Sequence, residues 1–372
     1  MQSANTTGWC LAFEGLLEFG VWNLEFLFVC RRETRGYPPH QSRRLVPFRR
    51  SARLAENILS WQTKAGGWPK NTDTTAPFTG DRATLQGTFD NGATTDELRF
   101  LARLMGGPAS GPAVAYSNAF TRGLTHILQA QYTNGGWPQY APPPANKYHR
   151  HITFNDNSMV RLMIFLREVA TDPRYEFVEQ KQRGATRRAF ERGVDCILQC
   201  QIKVNGQFTA WCAQHDEIDL RPRPARSYEL ASLSGSESVG LVRLLMSLEK
   251  PSPEVVDAVV AAGEWFETAK LAGIKIESVT DKNLPKGRDK LVVTDANAKP
   301  MWARFYEIET GRPIFSSRDG VKKYSLAEIE YERRHGYAWL GYWPGTLLAK
   351  DYPAWKAKNG VASQNHPVAK PR

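Results

Sequence analysis

Residues 58–70, with Gln62 and the turn Gly66-Gly67-Trp68-Pro69, recur as residues 127–139, with Gln131 and Gly135-Gly136-Trp137-Pro138. They return more loosely as residues 197–209, around Gln201. The three glutamines lie 69 and 70 residues apart. That period is too regular for chance and too long for a solenoid of single helical hairpins, so each unit must hold two helices and a long loop. In the helix leading into the second turn, Phe120, Leu124, Ile127 and Leu128 follow the i, i+4, i+7, i+8 stripe of a half-buried helix. The Gly-Gly-Trp-Pro run then ends it. Glycine permits the left-handed cap and proline cannot continue the helix, which turns the tryptophan back onto the helix end. A second helix is expected in each unit, over residues 96–105, 158–170 and 236–248, each with an Arg and an apolar stripe. Between the helices lie polar loops containing Asp90, Asp156 and Arg226, which meet at one end if the units stack around an axis.

A chain of 372 residues that is 41% apolar, with 11 Trp, buries a sizeable core. We read a catalytic domain over residues 48–358, an atypical, poorly ordered leader over 1–47 and a flexible tail over 359–372. In the leader, residues 9–30 are apolar but broken by Glu14, Glu18 and Glu25 and lack a basic start, so they read as neither membrane span nor recognisable signal peptide. Residues 31–50 are rich in Arg and Pro and read as a link. The formal charge of +11, from 49 Lys+Arg against 38 Asp+Glu, favours an anionic partner. The basic residues are dispersed, with no basic-region helix or zinc-finger spacing, so that partner is not read as nucleic acid. Five cysteines cannot all pair within the chain. Cys196 and Cys200, at i and i+4, read as core thiols, while Cys10 and Cys30 fall in the leader.

Asp90 and Asp156 occupy equivalent loops, each beside asparagine: Asn91 in the first, Asn155 and Asn157 in the second. Carboxylates flanked by amide oxygens suit Ca²⁺. An Asp or Asn before a helix also serves as a cap, and the residues alone leave both roles open. Arg226 stands in a proline-stiffened loop, and Arg304, Arg312 and Arg318 follow downstream with aromatics interleaved. Such a set matches the acid groups and ring faces of a uronate chain. No P-loop, G-x-S-x-G or H-E-x-x-H pattern is present. His215-Asp216, with no nucleophile beside it, reads as structural.

Eight motifs in order carry a resemblance over residues 55–355. They include Gly66-Gly-Trp-Pro-Lys-Asn71, Phe89-Asp-Asn-Gly-Ala-Thr94, Ile152-Thr-Phe-Asn-Asp-Asn157, Arg226-Ser-Tyr-Glu229 and Arg312-Pro-Ile-Phe315. The chain resembles the family 10 polysaccharide lyases, the pectate lyases. The resemblance implies a mainly α fold: an α/α toroid, or incomplete α/α barrel, of three ~70-residue repeats with a small irregular C-terminal lobe. Short strands are expected in that lobe, around Val292-Val293-Thr294 and Pro313-Ile314-Phe315. It implies Ca²⁺-assisted β-elimination at α-1,4-linked polygalacturonate, giving 4,5-unsaturated oligogalacturonides. Asp90 and Asp156 would hold Ca²⁺, Arg226 matches the family's catalytic arginine, and Arg312 matches a substrate-binding one. Arg304, Arg318, Lys70 and Asn91 are further expected substrate contacts. Such an enzyme is expected to be a secreted or periplasmic monomer, with no membrane or nucleic-acid partner. Two other readings are open: a catalytically inactive pectin-binding toroid, and a triterpene-cyclase-like α/α barrel. The Gln-x-x-x-x-Gly-Gly-Trp pattern is similar to the repeats of those cyclases, but their Asp-rich protonation motif is missing here.

Overall fold

The computed structural model describes residues 48–105 and 113–361. The leader expected over 1–47, its Cys10 and Cys30, and most of the expected tail lie outside the described residues. The first helices of successive units are α1 (Phe48–Ser60), α3 (Ala113–Ala130), α5 (Gln180–Cys200) and α7 (Pro253–Thr268), and the second helices are α2 (Thr95–Met105), α4 (Ser158–Thr171) and α6 (Glu237–Met246). The first helices pack against one another in chain order, as do the second helices, and α2 packs on α3 and α4 on α5. This two-row stacking is the arrangement expected of an α/α toroid. The three second helices begin and end within two residues of the spans read from sequence.

The repeat is a set of identical hydrogen bonds. The side-chain amide of Gln62 donates to the Gly66 carbonyl and, across the row, to the Ala119 carbonyl of α3, both at 2.8 Å. Gln131 repeats this with Gly135 and Ala189 at 2.9 and 2.8 Å, and Gln201 with Thr209 and Ala258 at 2.9 Å each. Each glutamine therefore joins its own turn to the first helix of the next unit. The tryptophans fold back as expected: the indoles of Trp68, Trp137 and Trp211 donate to the carbonyls of Ile58, Ile127 and Ile197 at 2.8, 2.9 and 2.7 Å. In the third unit the tryptophan is displaced to Trp211 by a hairpin of β2 (Lys203–Val204) and β3 (Gln207–Phe208), introduced after β1 (Ile152–Thr153).

A fourth, degenerate unit continues the pattern. The Trp302 indole donates to the Phe266 carbonyl of α7 at 2.8 Å, although residues 269–301 intervene. In the second row, a π-helical turn over Leu347–Asp351 runs into α9 (Tyr352–Lys358), after the short α8 (Tyr331–Gly336). Two mid-helix glycines, Gly123 and Gly193, stand in equivalent places, and Gly263 lies one residue further along its helix. A Cβ on Gly123 would meet Leu98 at 2.6 Å and Trp68 at 3.0 Å, and one on Gly263 would meet Tyr352 at 2.5 Å. Bare backbone there lets the units close up at a helix-propensity cost of about 1 kcal/mol each. The second row is stitched by arginines: Arg99 to Glu168, Arg167 to Ser247 and Arg243 to Asp351, at 2.8, 2.8 and 3.0 Å. Cys196, Cys200 and Cys212 are buried in the core.

The remaining strands are short. After β4 (Gln214–His215), which pairs with β1, and β5 (Leu233–Ser234), the fourth unit carries β6 (Ile274–Thr280) and β7 (Arg288–Thr294), a seven-residue antiparallel hairpin. Then come β8 (Trp302–Ala303), β9 (Phe305–Tyr306), β10 (Phe315–Ser316), β11 (Lys322–Lys323) and β12 (Leu340–Gly341). Both stretches expected to be strands in this lobe contribute, as parts of β7 and β10. No described helix is long and apolar enough to cross a membrane.

Candidate active site

Each inter-helix loop is anchored to the tryptophan turn before it. Thr88, Thr153 and Ser234 donate their backbone N–H groups to the Trp68, Trp137 and Trp211 carbonyls at 3.0, 3.1 and 2.8 Å. A carboxylate follows two residues after the first anchor and three after the others: Asp90, Asp156 and Glu237. Asn91, Asp156 and Asn157 hold φ of 54°, 51° and 58°, a left-handed backbone that Asn and Asp tolerate better than other side chains. Three units thus deliver one acidic group each to the same end of the helices. Neither Asp90 nor Asp156 makes a side-chain cap to the helix that follows, so the capping role left open by sequence is not the one seen.

One cleft is lined by Asp90, Asn91 and Asp156 together with Arg226, Glu229, Lys70 and Gln139. Asp90 is buried; its Oδ2 takes the Lys70 ammonium and, at 2.9 Å, the Gln139 amide. Burial alone would lower the Lys70 pKa, but the hydrogen bond and charge of Asp90 outweigh it and raise it. Lys70 also lies 5.5 Å from the Tyr140 ring centre. Asn91 is exposed and donates to Asn71 at 3.2 Å. Two oxygens here, Asp90 Oδ1 and Gln139 Oε1, are buried with no hydrogen-bond partner among the described residues. Buried acceptors are rarely left so, and a pair of them beside an exposed carboxylate is a donor set of hard oxygens that fits Ca²⁺.

Asp156 is 44% exposed and accepts from Asn155 at 2.7 Å and from Arg304 at 3.3 Å. Burial raises its pKa against the opposing pull of Arg304, and the nearby charges of Glu237 and Asp90 add to the rise. A cation beside Asp156 relieves that crowding. Arg304 is itself mostly buried, its side chain 12% exposed, and bound to Glu237 as well as Asp156, with its pKa raised because Glu237, Tyr337 and Asp156 outweigh burial. The expected substrate contact at Arg304 is therefore spent inside the protein, where it holds Asp156 against Glu237.

Arg226 is 44% exposed and forked onto buried Glu229, with its Nε at 2.7 Å and its backbone N–H at 3.1 Å from Glu229 Oε2. The Tyr337 hydroxyl donates to the other Glu229 oxygen at 2.7 Å. Burial would lower the Arg226 pKa, yet the bond and charge of Glu229 raise it above its ordinary value. One carboxylate thus decides the state of this side chain, and Arg226 rests protonated. The Arg226 guanidinium lies 5.1 and 5.7 Å from the Tyr228 and Tyr337 ring centres, and Arg304 lies 5.1 Å from Tyr337. Tyr337 thereby bridges the arginine side and the aspartate side of the cleft.

Besides Arg304, two further expected contacts do not line this cleft. Arg312 is exposed and sits 3.8 Å from the Tyr324 ring centre. Arg318 pairs with Glu332 at 3.0 Å on the surface, although it reaches within 5.8 Å of the Tyr228 ring. His215 is structural as read: buried, with Nδ1 at 2.8 Å from the Leu220 carbonyl and Nε2 accepting from the Cys212 N–H at 3.1 Å, its pKa pushed down to about 4 by burial. Asp216 forms a possible metal group with His151 and Glu217. Its oxygens are already taken by the Ile218 and Asp219 N–H groups and by Arg223, and those of Glu217 by Arg150 and His151.

Sequence reading missed Glu237, Gln139 and Tyr337 and assigned Glu229 no role. For Glu237 a signal existed, since it follows Ser234 as Asp156 follows Thr153. Tyr337 lies 108 residues from the glutamate it bonds, and no local pattern points to it.

The sequence model of the pectic acid lyase family matches residues 62–348. Two solved structures of a family 10 polysaccharide lyase from Cellvibrio cellulosa are similar. One is 36% identical, with a TM-score of 0.70, covering 84% of this chain and 93% of that one. The other, an aspartate-to-alanine mutant in complex with trigalacturonic acid, is 35% identical with a TM-score of 0.70, covering 82% and 92%. No curated protein matches.

Proposed function

The chain belongs to the pectic acid lyase family, and from that premise we propose that this pectate lyase cleaves α-1,4-linked polygalacturonate by β-elimination in the cleft between Asp90, Asp156 and Arg226. The observation that carries the site assignment is the pair of buried oxygens without a partner among the described residues, Asp90 Oδ1 and Gln139 Oε1, on two residues that line the same cleft as Arg226. Asp90 and Asp156 would hold Ca²⁺, with Asn91 and Gln139 as neighbouring amide oxygens. When bound, Ca²⁺ supplies Lewis-acid neutralisation of the uronate carboxylate as charge builds at C5.

The protein's own groups do the rest. Lys70 holds Asp90 in place, and Arg304 does the same for Asp156. Arg226 takes the C5 proton. The C5–H electron pair becomes the C4–C5 double bond, and the C4–O pair leaves with the departing oxygen, which takes a proton from water. Because Glu229 holds Arg226 protonated at rest, the guanidinium must first lose a proton, which sets the activity at alkaline pH. Tyr337 and Glu229 fix the direction in which the guanidinium points. Polygalacturonate is the expected partner of a secreted monomer.

The resting Arg226–Glu229 pair favours one second reading, a toroid that binds pectin and does not cleave it. Absorbance of unsaturated uronides during incubation with polygalacturonate at alkaline pH, with Ca²⁺ or chelator, separates the two. A rise that needs both Ca²⁺ and Arg226, and is lost in Arg226→Ala, supports the lyase assignment. A folded protein that gives no rise leaves the binding reading. A rise untouched by Arg226→Ala places the base elsewhere.

A further inference from the structure

The β6–β7 hairpin is the largest element that the chemistry above does not use. Its tip carries Lys282, Lys286 and Arg288, all exposed and, among the described residues, in no ion pair. The acids nearby are already engaged. Asp281 accepts the Asn283 N–H at 2.9 Å, and Asp289 is forked onto Arg334 at 3.0 and 3.1 Å. Burial and then the charges of Lys290, Arg288 and Lys286 lower the His335 pKa, so these cations converge on the face shared with α8.

That face connects to the cleft by direct contacts. The Tyr331 hydroxyl, at the start of α8, donates to the Arg288 carbonyl at 2.9 Å and accepts from the Lys286 N–H at 3.3 Å. Further along α8, Glu332 joins Arg318 and Arg333, and Arg333 lies 4.5 Å from the Tyr228 ring centre, on which Arg226 also rests. Lys290 donates to the Tyr337 carbonyl at 3.3 Å. α8 is a helix of six residues, roughly 9 Å at 1.5 Å per residue, and it links the hairpin tip to the Tyr228 ring on which Arg226 rests.

We propose that the hairpin tip is an outer binding track for a polyuronate: Lys286 and Arg288, with Lys282 beside them, hold carboxylates of the same chain that is cut at Arg226. The inference rests on the reading of the cleft as a polygalacturonate site. A run of unpaired cations at the surface attracts a polyanion strongly at low salt and weakly at high salt, and it acts only on chains long enough to span both places.

The test compares wild type with Lys286→Glu/Arg288→Glu on long polygalacturonate and on trigalacturonic acid, at low salt and in 0.5 M NaCl. The expected result at low salt is a KM for the long polymer about tenfold higher in the variant. Turnover of the trimer should stay within about twofold of wild type, which also reports that the fold is intact, and salt should erase the difference between the two proteins. Lys286→Gln/Arg288→Gln should fall between them. An unchanged KM on the long polymer, or an equal loss on polymer and trimer, overturns the proposal. If the wild type forms no unsaturated product at all, the lyase reading falls and the track is read by electrophoresis through a polygalacturonate gel. There, retardation of wild type but not of the variant supports the track, and equal mobility removes it.

Discussion

Gln62→Ala removes one stitch between the first and second units, and its cost follows from the carbonyls it leaves. Gln62 is wholly buried and its amide donates to the Gly66 and Ala119 carbonyls. The Gly66 carbonyl lies in a buried turn and loses its side-chain donor, a penalty of roughly 1–3 kcal/mol. Ala119 sits inside α3 and keeps its intrahelical bond, so its loss is about 1 kcal/mol. The total of about 3 kcal/mol corresponds, for a chain this long, to a fall in Tm of about 5 °C. Thermal unfolding followed by tryptophan fluorescence reads this directly, because Trp68 sits on the same turn. Gln62→Glu is the sharper control: it keeps the shape and the acceptor for Arg122 but presents a carboxylate to two carbonyls. It should cost at least as much as Ala. A Gln62→Ala variant within about 1 °C of wild type, or a Gln62→Glu variant equal to wild type, would refute the stitch as a source of stability.

The other expected outcomes concern charge. Glu97 is half-buried at the start of α2, and burial lifts its pKa to about 7 from the usual carboxylate value, despite the Thr94 N–H it accepts at 2.8 Å. An acid whose folded pKa is raised penalises the folded state once it ionises, so this penalty is absent below pH 4.5 and complete above about 7. Glu97→Gln should therefore raise Tm at pH 8 and leave it unchanged at pH 4; a gain at pH 4 alone would reverse the argument. Glu229→Gln removes the charge that holds Arg226 protonated, so the rise of kcat with pH should begin at lower pH, at some cost in stability. A pH profile that does not move would take Arg226 out of the base role.

Much of the scaffold can be read from the chain because local signals recur: a glutamine in all three units and, in the first two, a Gly-Gly-Trp-Pro turn and a polar loop with Asp. These are local and periodic, and they place α2, α4 and α6 and bring Asp90, Asp156 and Arg226 to one cleft. The fourth unit escapes because residues 269–301 separate α7 from Trp302, breaking the period that identifies the others. The electrostatics escape for a different reason. Glu237 is 67 residues from Arg304 and Tyr337 is 108 from Glu229, so the partners that decide which arginine is free and which is spent meet only when the units stack. Arg304 and Arg226 look alike in sequence; one is mostly buried between two carboxylates and the other opens into the cleft.

The two inserted hairpins enter at the same topological point. β2–β3 lies between α5 and Trp211, and β6–β7 lies between α7 and Trp302. In both units the indole still reaches its own helix. The span between a first helix and its tryptophan is thus a port at which this architecture takes on length without losing a stitch. The turns at Gly66-Gly67 and Gly135-Gly136 have no such room, since a Cβ on Gly66 or Gly135 would already meet the Arg122 or Arg192 carbonyl oxygen at 2.5 Å or closer.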